Sequence, residues 1–394
     1  MTTPATRGAT RNDDTLIEVR NLTVRFAIRR KKLFRTTVQM LNAVDDVSFT
    51  INRGETVGLV GESGSGKTTV GRAMLRAIDP SGGEVIFHSR KGDIDLAHAS
   101  EKELRELRPE MQMAFRDQRS VAVHDLVGES LRAFRPKMSL VFQDPYSSLN
   151  PRMTVRDIIA EPLVASGLMT DRKEIDERVR EIAGRCKLNL EHLRRFPHAF
   201  SGGQRQRICI ARALVSKPEF VVCDESVSAL DVSIQAEIVN LLKDLQDEMG
   251  VSFLFIAHDL SVVAQISHRV AVLYVGKFVE YAPTEKLFFS PRHPYTHALL
   301  SAIPLADPDL DYHPIRLKGE IPNPLQAPTG CRFHTRCPFA KARCSEEAPE
   351  WREIDEDHFV ACHFADEFDF ARTRPHSAPS LQASAQADPP PTGR

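Results

Sequence analysis

Gly61-Glu62-Ser63-Gly64-Ser65-Gly66-Lys67-Thr68 is a stretch suited to holding phosphate. Its glycines let successive backbone N–H groups converge on phosphate oxygens, and the start of a following helix adds its partial positive charge. Lys67 supplies a point charge to the β- and γ-phosphates, Thr68 offers a hydroxyl to Mg²⁺, and Thr69 follows as a further nucleotide contact. Two carboxylates, Asp224 and Glu225, end the apolar run that begins at Phe220. Asp224 can position Mg²⁺ through a water, and Glu225 can polarise an attacking water as general base. His258 ends another apolar run, where an imidazole can hydrogen-bond a terminal phosphate and sense its loss. Together these groups describe the hydrolysis of a nucleoside triphosphate.

The elements that must carry them follow from apolar patterning. Glu55–Val60 is a short apolar strand running straight into the glycine loop, and Thr68–Ile78 continues as a helix. Phe220–Cys223, Phe253–Ala257 and Val270–Val275 are continuous apolar runs, as in parallel strands covered on both faces. From Asn150 to Leu214 the pattern is helical, with Ile175, Val179 and Ile182 recurring at helical spacing. Leu16–Phe26 alternates as a strand. Ala27–Val38 then gathers Arg29, Arg30, Lys31, Lys32 and Arg35, as at a solvated hairpin tip or a contact with lipid headgroups or a membrane partner. The expected fold class is α/β, a core with a helical insert.

The chain has 394 residues and a net charge of −1, so it suits a core plus an extension and has no global field that would draw nucleic acid. No apolar stretch approaches the roughly 20 residues of a membrane-spanning helix. Met1–Asp14 is polar and lacks a hydrophobic signal core. Cytosolic placement, with membrane attachment through partners, is expected. The expected layout is a polar N-terminus over 1–15, a core over 16–290, an extension over 291–371 and a disordered tail over 372–394. The core includes a helical subdomain over about 150–215 and an insertion over about 116–137. The insertion separates two similar segments, Arg108–Asp117 and Arg135–Asp144, and only the second keeps a glutamine, Gln143, immediately before its aspartate and runs on into Pro145. Of the cysteines, Cys186, Cys209 and Cys223 are scattered, whereas Cys331, Cys337, Cys344 and Cys362 crowd one segment of the proline-rich extension. In a reducing compartment such a cluster reads as a metal site, and four thiolates suit zinc or an iron–sulfur cluster.

Ser201-Gly202-Gly203-Gln204 lies between the glycine loop and the paired acids. In this order the four motifs resemble the nucleotide-binding subunit of an ABC transporter, a P-loop ATPase core with a helical subdomain. The resemblance implies ATP as the nucleotide. It also implies a Mg²⁺ ligand in Gln143, an adenine-stacking aromatic in Phe26, a switch histidine in His258 and an interface loop ending in Asp231. Ser201 and Gly203 would contact the γ-phosphate held by a second subunit. One phosphate loop and one signature loop then imply a dimer. The family usually has proline after the catalytic glutamate; this chain has Ser226.

Three further stretches narrow the resemblance, which spans about Leu16 to Phe364, to the importers of dipeptides, oligopeptides and nickel. They are Gln143–Arg152, Pro291–Pro304 and Gly319–Pro324 running into Gly330-Cys331. What this implies is an ATP-hydrolysing subunit at the cytoplasmic face of the inner membrane. Its partners would be two transmembrane permease subunits, a second ATPase subunit (itself or a paralogue) and, indirectly, a periplasmic solute-binding protein. Di- or oligopeptides are the implied cargo; nickel, glutathione or another small solute is the alternative, and a soluble ABC ATPase acting on nucleic acid is the rival class. The resemblance also implies a [4Fe-4S] cluster on the four cysteines, with zinc (His334 or His363 being candidate further ligands) or four free thiols as the alternatives.

Overall fold

The computed structural model describes residues 14–32, 35–89, 92–98, 111–114, 149–165, 168–227, 230–303, 314–368 and 370. The first half of the chain supplies strands β1 (Thr15–Lys32), β2 (Arg35–Asn52), β3 (Thr56–Val60), β4 (Gly82–Ser89), β5 (Gly92–Asp95) and β6 (Met111–Ala114). Helix α1 (Lys67–Met74) falls between β3 and β4. Helices α2 (Val155–Ala165), α3 (Arg172–Arg185) and α4 (Gly202–Leu214) then precede β7 (Phe220–Asp224). Next come α5 (Val232–Met249), β8 (Ser252–Ile256), α6 (Leu260–Ile266), β9 (Arg269–Tyr274) and β10 (Lys277–Pro283). The extension adds α7 (Thr284–Phe289), α8 (Pro294–Ser301), α9 (Ala342–Glu346), β11 (Arg352–Asp355) and β12 (His358–Val360).

The strands form two sheets. One is antiparallel, in the order β2-β1-β4-β5; the other is mixed, in the order β11-β12-β10-β9-β3-β8-β7-β6. In the second, β9, β3, β8, β7 and β6 all run parallel. Every residue of β3, β7 and β8 is buried. Their side chains alternate between two apolar cores, as strand geometry requires. Phe220, Val222, Leu254 and Ile256 join the antiparallel sheet and α1 in one core. Val221, Cys223, Phe253 and Phe255 join the helical side in the other. That is why these runs are apolar without interruption.

The basic stretch after Phe26 lies in a long hairpin whose pairing runs out to Lys32↔Arg35. The strand beside β7 comes from the first of the two similar segments, in the register Met111↔Phe220 to Ala114↔Cys223. The insertion over 116–137, the second segment with Gln143, the N-terminal residues 1–13 and the tail over 372–394 lie outside the described residues.

The extension is built into the core. β12 pairs with β10 through Glu280↔Val360 and Tyr281↔Phe359, and β11 pairs with β12, so the extension lengthens the core sheet. A buried carboxylate fastens the join. Glu280 accepts hydrogen bonds from the Arg292 N–H (2.6 Å) and the His293 N–H (3.1 Å) and contacts His358 Nε2 at 2.8 Å. Three such partners offset the cost of removing its charge from water. Burial pushes the His293 imidazole down to about 3, so it stays neutral, and its Nδ1 accepts the N–H of Tyr295 at the start of α8.

Candidate ATP site

Three chemical groups leave the same end of neighbouring parallel strands. β3 leads into the phosphate loop, β7 ends in Asp224-Glu225, and β8, lying between them, leads to His258. In the β7–β8 register Asp224 sits opposite Ile256, so the acids and the histidine emerge side by side at the carboxyl ends of the strands. That is where open α/β sheets place ligands.

The loop after β3 is pinched between β2 and β9, which is why two of its positions must be glycine. Gly61 has φ +147°, and a Cβ there would lie 2.1 Å from the Leu273 carbonyl oxygen. Gly66, the residue before α1, has φ +109°, and a Cβ would lie 2.3 Å from the Ala43 carbonyl oxygen. The loop curls round its own lysine: Lys67 Nζ donates to the Gly61 carbonyl at 2.7 Å and the Glu62 carbonyl at 3.0 Å. Gly64, Ser63 and Glu62 line the more open part of the loop, while Ser65 and Lys67 are buried.

Thr68 Oγ1 donates to Asp224 Oδ1 at 3.0 Å. This bond joins the two groups assigned to Mg²⁺, one from the loop and one from β7. Asp224 is fully buried, as suits a carboxylate that works against a cation. The next residue, Glu225, adopts φ +51°, and its N–H donates to the Ile256 carbonyl at 2.8 Å. A left-handed conformation in a residue with a side chain costs on the order of 1–2 kcal/mol and is kept where the surroundings over-determine it. Glu225 is partly exposed and His258 exposed, so both are accessible at the mouth of the site. Ser226, where the family usually has proline, is buried.

Ser201 caps α4. Its hydroxyl accepts the Gln204 N–H at 3.4 Å, and Gln204 Oε1 accepts the Ser201 N–H at 3.1 Å. Such a reciprocal capping box leaves the positive end of the helix dipole facing outward. Ser201 and Gln204 are exposed, and Gly202 and Gly203 are half-buried. Gly203 packs on Ile234, whose Cγ2 would lie 2.8 Å from an added Cβ. Among the described residues, the side-chain hydrogen bonds of Ser201 and Gln204 stay within the tetrapeptide, and none reaches the phosphate loop. Asp231 caps α5, accepting the Ile234 N–H at 3.0 Å. Phe26 lies on β1 and is 36% exposed, more accessible than an ordinary core phenylalanine. Gln143 lies outside the described residues, as do Ser228 and Ala229 before Asp231.

The four extension cysteines lie near enough to one another that each thiolate disfavours its neighbours. The Cys362 thiol responds to Cys331, Cys337 and Cys344, and burial pushes it up to about 12. Burial likewise raises Cys331, and raises Cys337 to about 11. Neighbouring backbone N–H groups oppose that rise: those of Phe333 and His334 at Cys331, that of Phe339 at Cys337 and that of Phe364 at Cys362. Among the described residues, no three His, Cys, Asp or Glu side chains are placed to hold one metal ion. His334 Nδ1 instead contacts the Cys331 carbonyl and His363 Nε2 the Glu347 carbonyl.

Two residues that sequence reasoning left without a role also reach the site. Tyr295 Oη accepts the Glu62 N–H at 3.0 Å, and Arg336 grips the Glu62 carboxylate with two bonds of 2.6 and 3.1 Å. Tyr295 lies in the stretch Pro291–Pro304 that marked the extension. Arg336 carried no signal beyond its place beside Cys337.

Fold and site define a nucleotide-binding cassette. Residues 44–228 match the ABC transporter family model, and residues 279–344 match the C-terminal region of oligopeptide/dipeptide transporters. The oligopeptide transport ATP-binding protein AppF of Bacillus subtilis is 46% identical over 355 residues, covering 89% of this chain and 98% of that protein. A peptide import ATP-binding protein of Brucella ovis is 46% identical over 331 residues, covering 84% and 94%. Among solved structures, cbiO1 from Clostridium perfringens, part of the ABC transporter complex cbiONQ, shares the fold with a TM-score of 0.53. It is 23% identical, over 70% of this chain and 91% of that one. The chain therefore belongs to the ATP-binding subunits of ABC transporters, in the branch with the oligopeptide/dipeptide C-terminal region. It is an ATPase whose hydrolysis is coupled to transport. No helix among the described residues is long and apolar enough to cross a membrane.

Proposed function

We propose that this chain energises the uptake of di- and oligopeptides across a bacterial inner membrane, bound peripherally at the cytoplasmic face to two permease subunits. The observation that carries the reading is the joining of a complete nucleotide cassette to an extension matching the oligopeptide/dipeptide region. The names of the relatives support the cargo. The phosphate loop and the outward-facing signature loop are complementary halves of a site. Two subunits, identical or paralogous, would close head to tail on two ATP molecules, with Ser201 and Gly203 reaching the partner's γ-phosphate. Gln143 and Thr68 would hold Mg²⁺ with Asp224, Phe26 would stack on adenine, and Asp231 would lie at the subunit interface. Closure drives the permeases, and hydrolysis resets them through the difference in ATP affinity between open and closed states.

ATPase activity of the chain, alone and with its permeases in nanodiscs, tests this. A periplasmic binding protein loaded with mixed peptides should stimulate turnover. Turnover that responds to nickel or glutathione on its binding protein, and never to peptides, would overturn the cargo. A [4Fe-4S] cluster on Cys331, Cys337, Cys344 and Cys362 completes the reading. The reading is supported by the four cysteines sharing one segment, with backbone N–H groups beside Cys331, Cys337 and Cys362. Among the described residues the side chains are not placed to hold one metal ion, and they would have to converge on the cluster for it to staple the extension. Protein purified without oxygen should contain iron and acid-labile sulfide, and both should fall in Cys337→Ser; zinc alone would overturn it.

A further inference from the structure

The arginines beside the clustered cysteines reach the phosphate loop by two routes. Arg336 precedes Cys337 and holds Glu62 in a two-pronged ion pair; only 8% of its side chain and 26% of that of Glu62 are exposed. The guanidinium lies 5.9 Å from the ring of Tyr274 and donates to its hydroxyl at 3.4 Å. Tyr274 in turn packs on Tyr295 and Phe333, with ring centroids 4.7 and 5.2 Å away. The grip is therefore held from behind by a buried aromatic wall, and Tyr295 secures the Glu62 backbone at the same time. Arg332 follows Cys331 and bonds the Val275 carbonyl and the Asp45 carboxylate. The adjacent Gly276 N–H donates to the Ser65 carbonyl at 2.8 Å.

The charge on Glu62 is the reason the grip matters. A carboxylate on the phosphate loop opposes a triphosphate by simple repulsion, most strongly where water is scarce. The planar fork of arginine neutralises a carboxylate and fixes its direction, which lysine does less well.

We propose that Arg336 is a positioning residue of the ATP site. By neutralising and orienting Glu62 it sets the affinity of the phosphate loop for nucleotide, and so makes that affinity depend on the four-cysteine segment. The proposal rests on the ATP site alone and is independent of the cargo. Its test is calorimetric titration of the full-length chain with Mg²⁺-ATP, alongside steady-state ATPase kinetics. Arg336→Ala should weaken ATP binding and raise KM on the order of tenfold, with kcat within about twofold. Adding Glu62→Gln to it should recover most of the lost affinity, because the stranded charge is gone. Arg336→Gln, which keeps most of the side chain's bulk, serves where the alanine variant does not fold. Loss that Glu62→Gln fails to recover would make Arg336 a packing residue, and unchanged ATP affinity in both Arg336 variants would end the proposal.

Discussion

Glu225→Gln is expected to bind Mg²⁺-ATP as the parent does while losing turnover on the order of 10²-fold or more. The amide keeps the size and shape of the carboxylate, with one acceptor oxygen replaced by a donor NH2, but cannot accept a proton from water. The left-handed backbone at Glu225 is set by its N–H bond to Ile256, which the change leaves intact. Binding and chemistry should therefore separate cleanly. Turnover close to that of the parent, measured as phosphate release at saturating ATP, would move the general base to another residue.

Lys67→Ala should show the opposite pattern. Lys67 is 5% exposed, and its ammonium is held between the Gly61 and Glu62 carbonyls at the centre of the loop. As a proposed phosphate ligand it would exchange those carbonyls for phosphate oxygens when nucleotide binds. Charge-assisted hydrogen bonds are worth about 1.5–3 kcal/mol each, so ATP affinity should fall by about 10- to 100-fold. Turnover should fall as well, because the developing charge on the γ-phosphate loses its nearest cation. A variant that titrates with ATP as the parent does would show that Lys67 is not a phosphate ligand.

Most of the core could be read from the sequence because its signals are local. A glycine loop between an apolar strand and a helix, or two acids closing an apolar run, carries its own context. The sheet then brings these pieces together by parallel pairing of β3, β8 and β7, each recognisable as an uninterrupted apolar run. What stayed hidden depends on distant partners. Met111–Ala114 and the similar stretch starting at Met138 offer the same apolar spacing, and pattern alone cannot choose which one pairs with β7. The strands β11 and β12 have only four and three residues, and β11 is mostly charged, so they resemble loop until β10 is placed beside them. Arg336 looks like any surface cation; only the fold puts it on Glu62, 274 positions earlier.

The pairing of β12 with β10 has a consequence for how this chain can be divided. β10 is buried over Phe278–Ala282, and its outer hydrogen-bonding groups at Glu280 and Tyr281 are occupied because the extension supplies a neighbour. A chain cut after Ser290 would present that strand to any other molecule able to add to it, a template for aggregation. The cut would also strip Glu280 of Arg292, His293 and His358, leaving a bare carboxylate in an apolar wall. The cysteine-bearing segment is thus expected to guard solubility as well as to neighbour the phosphate loop. Chimaeras that exchange cassettes between importers should join well upstream of β10 and carry everything after it together.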